Sequence, residues 1–521
     1  MHRLVIALTT LLALVGAVVV VAYLFIFGAG VDRAAGIAPA DTQMYAAVYL
    51  SPSVDQQRNI GSVLGKLPGF TDLSNLPAKI DELAQRALGS TGIDYSRDVA
   101  PWLGDEVAVA VRSPTSAQPL LIAAVRDESA ARAALGRVAA QEGATTSTET
   151  YQGVSITTFA GASGGPGGAF AIVDQMLVAS ADHATLLAAI DAAVGKASSL
   201  ADVAAFRSAM ASLPTDRLAS IYLDLAGAAR STGQSAQASG FSTIGLGVVV
   251  RPDGIQLAGR APITSSAVSA SERANLALGT EQASLTRWMP EGTQAELTFY
   301  GARQTFDTVV AQLGSAPGGD QIASSVTQLR ALAALGLGID LDRDLLPLFD
   351  REAAVAITGL DGSTPHGELL LRPSDATAAA SALDRIVTSL RGRGASVTTT
   401  EAAGTTITSV EVPSVGAVSL AISDGVIVAG LTADDVRAAV EAHASGKTLA
   451  ATSAYTDAFS RAGGRGGNEL YIDGSQVANL IGGLVDVPTD ARDMLTHLGA
   501  LALAVPTQDN QIEIHGTVTV H

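Results

Sequence analysis

The chain contains no cysteine. This absence excludes disulfide bonds, thiolate metal sites and cysteine nucleophiles. It also excludes membrane attachment through a lipid-modified cysteine, so any attachment requires a helix. Aromatic residues make up only 4% of the sequence, with two tryptophans. This scarcity disfavours a sugar-binding cleft, since such clefts stack their ligands on exposed aromatic rings.

Charge of either sign is sparse, and positive charge is especially so. Charged residues make up 16% of the chain, the net charge is −18, and only four basic residues are lysines. Nucleic acids and anionic lipid surfaces are bound by clustered Lys and Arg, and the sequence contains no such cluster. We therefore expect no nucleic-acid partner.

What the sequence does contain is hydrophobic residues, at 48% of its 521 positions. A chain of this composition and length buries more than one core, and two to four domains are expected.

The N-terminal segment predicts a membrane anchor. Residues 4–27 form a run of 24 uncharged, mostly apolar residues, which spans about 36 Å as a helix. His2 and Arg3 precede this run, so the N-terminus is predicted to face the cytoplasm and the remainder to lie outside it. Cleavage after a signal peptide is the alternative, since Gly28, Ala29 and Gly30 offer small residues and would yield a secreted protein.

The remainder repeats itself at an offset of roughly 250 residues, which is a domain-sized period. The segment from Ile93 to Pro101 returns from Ile339 to Pro347, and the strand ending at Asp224 returns in the strand ending at Asp473. We predict a cytoplasmic tail (1–3), the anchor (4–27), a spacer (28–37), a first repeat (38–264), a linker (265–285) and a second repeat (286–521).

Hairpins dominate both repeats. Short β-rich runs are joined by tight turns, such as the one at Asp424-Gly425, where a two-residue turn requires positive backbone angles. Helical periodicity occurs at 77–88, 127–141, 184–194 and 203–212. The predicted fold class is α+β: two tandem copies of a mainly antiparallel sheet with packed helices, following a transmembrane helix.

The opening Pro39-Ala40-Asp41-Thr42, the block from Ile93 to Glu106 and the Tyr222-Leu223-Asp224 strand resemble a bacterial family of exported proteins, the Domain of Unknown Function 3352 family. The resemblance covers most of the chain beyond the anchor. It implies an N-terminal membrane segment and a duplicated extracytoplasmic region, and it supplies no catalytic residues.

Three glycine-containing motifs are candidates for chemistry. The stretch 161–165 matches the Gly-x-Ser-x-Gly nucleophile elbow, but glycine, proline and a strand follow it where a helix is needed. Gly446-Lys447-Thr448 ends like a phosphate-binding loop yet lacks the first glycine, which favours a helix end. The loop 463–467 offers backbone amides for an anion, although we interpret it as a mobile loop.

The acidic residues and histidines give no coherent site either. Adjacent Asp105 and Glu106 point to opposite faces of a strand and cannot flank one bond. Asp94 and Asp340 are predicted to cap helices. The seven histidines are scattered and show no metal-ligand spacing. We therefore predict no catalytic, cofactor-binding or metal-binding residue, and no cofactor.

The function expected from the sequence is a membrane-anchored, non-enzymatic binding or interaction module, with an envelope protein or a lipid as partner. An apolar cavity of roughly 300 Å³ or more would favour a lipid or another apolar ligand. The alternative is a hydrolase of envelope polymers, which requires Glu106, Glu352 or Asp224 to share one cleft within about 10 Å.

Overall fold

The computed structural model describes most of the chain from Asp32 onward. The described residues are 32–51, 53–68, 85, 93–113, 119–141, 143–160, 168–231, 242–264, 268, 270–306, 310, 319–361, 364–412, 416–476 and 495–521. The predicted anchor (4–27), most of the predicted helix 77–88 and the stretch 161–165 lie outside these ranges. Within them, no helix is both long and apolar enough to cross a membrane.

The described residues of the first half form ten strands. They are β1 (Met44–Tyr49), β2 (Leu103–Val111), β3 (Leu120–Val125), β4 (Thr145–Tyr151), β5 (Val154–Ala160), β6 (Ala169–Val173), β7 (Met176–Ser180), β8 (Ala219–Asp224), β9 (Thr243–Arg251) and β10 (Gly254–Pro262). Every pairing among them is antiparallel, in the order β4-β5-β6-β7-β3-β2-β1-β8-β9-β10.

In the second half, eleven strands occur within the described ranges. They are β11 (Ala295–Tyr300), β12 (Glu352–Asp361), β13 (Thr364–Arg372), β14 (Ser396–Ala402), β15 (Thr405–Val412), β16 (Gly416–Ser423), β17 (Val426–Gly430), β18 (Asn468–Asp473), β19 (Leu498–Val505), β20 (Thr507–Gln508) and β21 (Gln511–Val520). Their antiparallel order is β14-β15-β16-β17-β13-β12-β11-β18-β19-β21, with β20 paired to β21.

The two halves join in one sheet. β10 pairs with β21 in an antiparallel ladder that runs from Gly254 opposite Thr519 to Pro262 opposite Gln511. A cluster of buried side chains from both halves lies at this joint, including Leu246, Leu257 and Ile514. The predicted α+β class is therefore correct, and the strands of both halves form one continuous antiparallel sheet.

Ten α-helices with complete bounds accompany the sheet in the described ranges. They are α1 (Val54–Leu64), α2 (Glu128–Gln141), α3 (His183–Ala193), α4 (Ala204–Ala211), α5 (Leu225–Ser231), α6 (Ala270–Leu278), α7 (Gly319–Leu332), α8 (Ala376–Gly392), α9 (Ala433–Ser445) and α10 (Ser453–Ala462). The helices predicted at 127–141, 184–194 and 203–212 are α2, α3 and α4.

Helices pack on both faces of the sheet. In the first half, α3 and α4 cover one face and α2 packs against the other. In the second half, α9 and α10 cover one face and α8 packs against the other. Because strand side chains alternate between faces, each strand contributes to two separate hydrophobic clusters.

Parts of the predicted spacer and linker lie within the described residues. Ala34, Ala35 and Ile37 fall in the predicted spacer but are buried in the first-half core. Asp32 accepts hydrogen bonds from the hydroxyls of Tyr45 and Tyr49. The structured region thus begins at least as early as Asp32, because small apolar side chains there fill space against β1. The linker contains helix α6.

Candidate functional site

An apolar cavity of about 360 Å³ lies in the second half, on strands β12, β13, β16 and β17. Its apolar wall includes Val355, Ile357, Leu369, Val418 and Leu431. Its volume falls within the range of small-molecule sites, which is about 300–1,000 Å³. It is also above the threshold of roughly 300 Å³ at which the sequence-based expectation favours an apolar ligand.

The cavity exists because α8 covers only part of its face of the sheet. Ala353, Leu371 and Ile427 on that face pack against α8. Two residues further along β12, Val355 is 38% exposed, and Val418 and Leu431 are 47% and 51% exposed. Since residues i and i+2 of a strand share a face, these side chains continue the α8-covered surface beyond the end of the helix.

A strand irregularity shapes one end of this cavity. The register of β12 and β13 shifts between Ile357 and Gly359, and Gly367 opposite Ile357 has a φ of +150°. A Cβ atom at Gly367 would lie 1.9 Å from the carbonyl oxygen of Ala356. Only glycine allows the two strands to approach this closely.

The buried carboxyl group of Glu368 lies behind this cavity, on the opposite face of β13. Strand side chains alternate between faces, and Glu368 stands opposite Ala356 and Gly430 on the face that α9 covers. It is 3% exposed, and neither of its side-chain oxygens has a hydrogen-bond partner among the residues that the structure describes. Burial, reinforced by the negative charge of Asp435, raises the pKa of Glu368 to about 8. The side chain is therefore largely protonated at neutral pH.

Asp435 of α9 and His366 of β13 form a polar cluster on the α9 face of the sheet. Thr432, the N-cap of α9, donates from its backbone N and Oγ1 to Asp435 Oδ2 at 3.0 and 2.7 Å. Nδ1 of His366 lies 3.3 Å from Asp435 Oδ1. Gly430 permits this arrangement, because a Cβ there would lie 2.9 Å from Asp435 Cβ.

The comparison with protein families matches the model described as "Protein of unknown function (DUF3352)" over residues 4–521. The chain belongs to this family. The resemblance noted in the sequence is thus confirmed across nearly the whole DUF3352 chain. Comparison with curated proteins finds no sequence relative.

Among solved structures, the DUF3352 chain is similar to crystal forms of a protein named TP0453. Form III has a TM-score of 0.25 and 9% identity, covering 46% of this chain and 82% of that one. Form I has a TM-score of 0.26 and 8% identity, covering 49% and 88%. Likenesses this weak carry no conclusion about fold or function.

The carboxyl groups considered for a hydrolase serve the local structure of the DUF3352 chain. Glu106 accepts hydrogen bonds from the backbone N atoms of Arg33 and Ala34. Glu352 likewise accepts from the backbone N atoms of Ser284 and Leu285, at 2.6 and 2.9 Å. Each carboxyl therefore holds the start of a short 3₁₀ helix (Ala34–Gly36 or Leu285–Arg287).

Asp224, the third of these carboxyls, accepts from the backbone N of Gly227 at 2.8 Å, at the start of α5. Eight strands separate β2, which carries Glu106, from β12, which carries Glu352, in the sheet. The contacts of these residues are thus made within their own halves, and nothing gathers them into one cleft.

The aspartates predicted to be caps do cap helices. Asp94 accepts from the backbone N of Arg97, and Asp340 accepts from the backbone N atoms of Asp342 and Arg343. The helices they begin are single π-helical turns. In each turn the aspartate four residues after the cap, Asp98 or Asp344, is buried and paired with arginines.

The glycine loop 463–467 binds an anion that belongs to the protein itself. The backbone N of Gly466 donates to Glu469 Oε1 at 2.7 Å. Arg465 Nη2 and the Tyr455 hydroxyl both reach Glu469 Oε2 at 2.9 Å. The interpretation as a mobile loop is therefore wrong, because a buried carboxylate fixes the loop from within.

The remaining motifs have structural roles. Gly446 ends α9 in the left-handed conformation, as the helix-end interpretation of the Gly-Lys-Thr motif requires. Asp182 caps α3, so His183 lies at a helix start. No group of three metal-ligating side chains occurs in the part of the chain that the structure describes.

Sequence reasoning did not single out Glu368, Asp435 or His366. A signal was present, since Glu368 of β13 corresponds to Leu120, the first residue of β3. Leu120 pairs with Ala110 and Ser180 as Glu368 pairs with Ala356 and Gly430. An acid on a strand whose counterpart is entirely apolar indicates a local difference between the halves.

Proposed function

We propose that this DUF3352 protein is a membrane-anchored, extracytoplasmic binding protein that holds the apolar part of an amphiphilic ligand in the cavity of its second half. Residues 4–27 form the anchor, and the bulk of the chain lies outside the cytoplasm. The protein acts by binding and performs no chemistry on its ligand.

The cavity on β12, β13, β16 and β17 is the observation that carries this proposal. It is large enough for a small molecule, open to the surface and walled mainly by hydrocarbon side chains. Val355, Val418 and Leu431 leave apolar surface exposed there, and an apolar ligand gains about 0.8 kcal/mol for each methylene it buries on such a wall.

We further infer that the halves descend from one duplicated domain. The strand order of one half repeats in the other, and motifs recur at equivalent positions, such as Glu106 with Glu352 and Asp94 with Asp340. Residues shared by both halves, such as Glu106 and Glu352, serve the fold.

The ligand proposal is tested by photolabelling the full-length protein in its native membrane. The probe is decanol carrying a diazirine near the end of its chain, and labelled residues are identified by mass spectrometry. We expect labels on β12, β13 and β17, and we expect Val355→Trp to reduce them several-fold by filling the cavity.

The matched control is Val109→Trp. Val109 holds the corresponding position in β2 and is 40% exposed, against 38% for Val355, so both substitutions disturb the sheet surface equally. Binding in the cavity would be refuted if the second-half strands carried no label. It would also be refuted if Val355→Trp and Val109→Trp reduced the labelling equally.

The absence of cysteine permits a clean test of topology. Val54 is 70% exposed, so Val54→Cys introduces a single reactive thiol. We expect a membrane-impermeant maleimide to label it in intact cells, whereas His2→Cys in the predicted cytoplasmic tail requires permeabilised cells. Labelling of Val54→Cys only after permeabilisation would overturn the extracytoplasmic location.

A further inference from the structure

The outer edge of the sheet in the first half is strand β4. It pairs with β5 in a regular register of seven residue pairs, and no strand of the described residues lies on its other side. Six of its seven residues are exposed, all but Tyr151. An uncovered edge presents a row of backbone N–H and C=O groups that can pair with another strand.

The turn between β4 and β5 shows which of these backbone groups are free. Both turn residues have positive φ, at 50° and 80°, and such a two-residue turn closes on a hydrogen-bonded pair, here Tyr151 with Val154. Bonded and non-bonded pairs alternate along an antiparallel ladder. The N–H and C=O groups of Thr146, Thr148 and Thr150 therefore point away from β5.

Strand β4 lacks the features by which proteins protect such an edge. It contains no proline, no lysine and no bulge, and four of its seven residues are threonine, which favours strands. Its single charged residue is Glu149, whose Oε1 lies 2.6 Å from Nε2 of His183. The edge is therefore open to a partner strand.

The sequence of β4 is complementary to itself. When two β4 strands pair antiparallel about Thr148, Thr146 lies opposite Thr150 and Ser147 lies opposite Glu149. Each free N–H of one copy then meets a free C=O of the other. Threonine pairs stabilise neighbouring strands, and no two like charges lie directly opposite each other.

The other edges of the sheet are less suited to this pairing. In β14, Thr399 holds the place of Thr148, and pairing about it would set the charged Glu401 against Val397 in both copies. The inner edges of the two halves, β10 and β21, already pair with each other. Edge-to-edge pairing of equivalent strands thus occurs once within the chain, and β4 is the edge best suited to form it between chains.

We propose that the β4 edge binds a second copy of this chain, with the two β4 strands antiparallel and Thr148 on the twofold axis. Both copies offer the same surface, so the assembly closes as a dimer. The sheet of one molecule continues into the sheet of the other. The dimer does not depend on a ligand in the second-half cavity.

The absence of cysteine allows a direct test of this register. Thr148→Cys places one thiol per chain on the axis, where the two Cα atoms lie about 5.5 Å apart, within disulfide range. We expect diamide oxidation of cells that produce the full-length variant to give a disulfide-linked dimer on a non-reducing gel. Thr146→Cys should give at least about tenfold less, because its two copies lie about 14 Å apart.

The matched control is Thr399→Cys, an exposed threonine at the equivalent place in β14, which should crosslink no more than Thr146→Cys. Equal crosslinking of all three variants would show random collision. Crosslinking of Thr399→Cys alone would move the interface to β14. Either result, or no crosslinking of Thr148→Cys, would overturn the β4 dimer.

Sedimentation of the purified full-length protein in detergent measures the association itself. Thr148→Pro removes the central donor of each copy and spares the β4–β5 ladder, because that N–H points outward. We expect it to weaken dimerisation about tenfold or more, and Thr399→Pro to change it less than about twofold. Since each chain carries a net charge of −18, dimerisation should strengthen as salt screens the repulsion. Equal effects of the two proline variants would contradict pairing through β4.

Discussion

Ala258 of β10 lies directly opposite His515 of β21, at the centre of the nine residue pairs that join the two halves of the sheet. The two residues also hold equivalent positions in the closing hairpins of their halves. The joint is thus close to a local twofold arrangement in which each half offers the same strand to the other. One consequence is that the edge strand β10 of the first half and the strand β21 of the second half cover each other.

The apolar cluster at this joint should contribute strongly to stability. Ile514 is 5% exposed and packs among residues of both halves. We expect Ile514→Ala to lower the free energy of unfolding by about 2–4 kcal/mol, because it leaves a cavity between the halves. Urea denaturation followed by circular dichroism measures this loss.

Ile422→Ala is the control for that measurement. Ile422 is 37% exposed, so its truncation should cost less than about 1 kcal/mol. Equal losses in the two variants would show that the joint contributes nothing beyond an ordinary surface.

The buried acid Glu368 should make stability depend on pH. The pKa of this group rises from 4.5 to about 8 on folding, so the folded state retains a proton that the unfolded state releases. Between pH 4.5 and about 8 the folded state therefore binds more protons, and the free energy of unfolding falls as pH rises. Buried Glu106 and Glu296, whose pKa values are also raised to about 8, add slopes of the same sign.

Glu368→Gln should flatten this dependence by up to about 1.4 kcal/mol per pH unit. Thermal melts of both proteins across this pH window provide the measurement, with Glu411→Gln as the exposed control. A Glu368→Gln protein whose slope equals that of the wild type would contradict the buried, protonated state.

Glu352, which corresponds to Glu106 of the first half, should have a structural role. Glu352 is 2% exposed and accepts two backbone hydrogen bonds. Glu352→Ala leaves those buried donors unpaired, and we expect a loss of about 2–3 kcal/mol in unfolding free energy. Glu411→Ala, at an exposed site, should cost less than about 0.5 kcal/mol by the same denaturation measurement. Matching stabilities would rule out the capping role.

The stability of the protein should depend strongly on Asp344. Its side chain is 2% exposed and paired with Arg343 and Arg385, and the hydrogen bonds from Arg343 hold its pKa well below the usual value. Asp344→Asn should lower stability at neutral pH by about 1.5–3 kcal/mol, since it removes the charge-assisted hydrogen bonds that the buried carboxylate accepts from Arg343 and Arg385.

This contribution should vanish in acid, because protonation of the carboxyl abolishes the same ion pairs. The unfolding free energies of wild type and Asp344→Asn should therefore converge as pH falls below 3.8 towards the lowered pKa of the folded state. Asp434→Asn serves as control, since the side chain of Asp434 is 84% exposed in its pair with Arg437. A gap that persists at low pH would show that the loss comes from packing.

Local sequence patterns are enough to predict many elements of this fold. The Asp424-Gly425 turn is predictable because its two residues tolerate the positive φ values of 47° and 75° that the hairpin adopts. Asp94 and Asp340 are predictable as caps because a short acid before a turn binds its free amides. The mobile-loop interpretation of 463–467 failed because the buried Glu469, together with Tyr455 of the preceding helix, holds Arg465 and Gly466.

The sequence by itself determined the α+β class, the hairpins, the caps and the family, since these depend on spacing within a few residues or on recurring motifs. Only the tertiary structure decided that β10 meets β21, because a ladder between residues more than 250 positions apart has no local signature. It also decided that Glu368 is buried beside Asp435. A strand's alternation shows that one face is apolar, but which neighbours reach that face depends on how far α8 and α9 extend across the sheet.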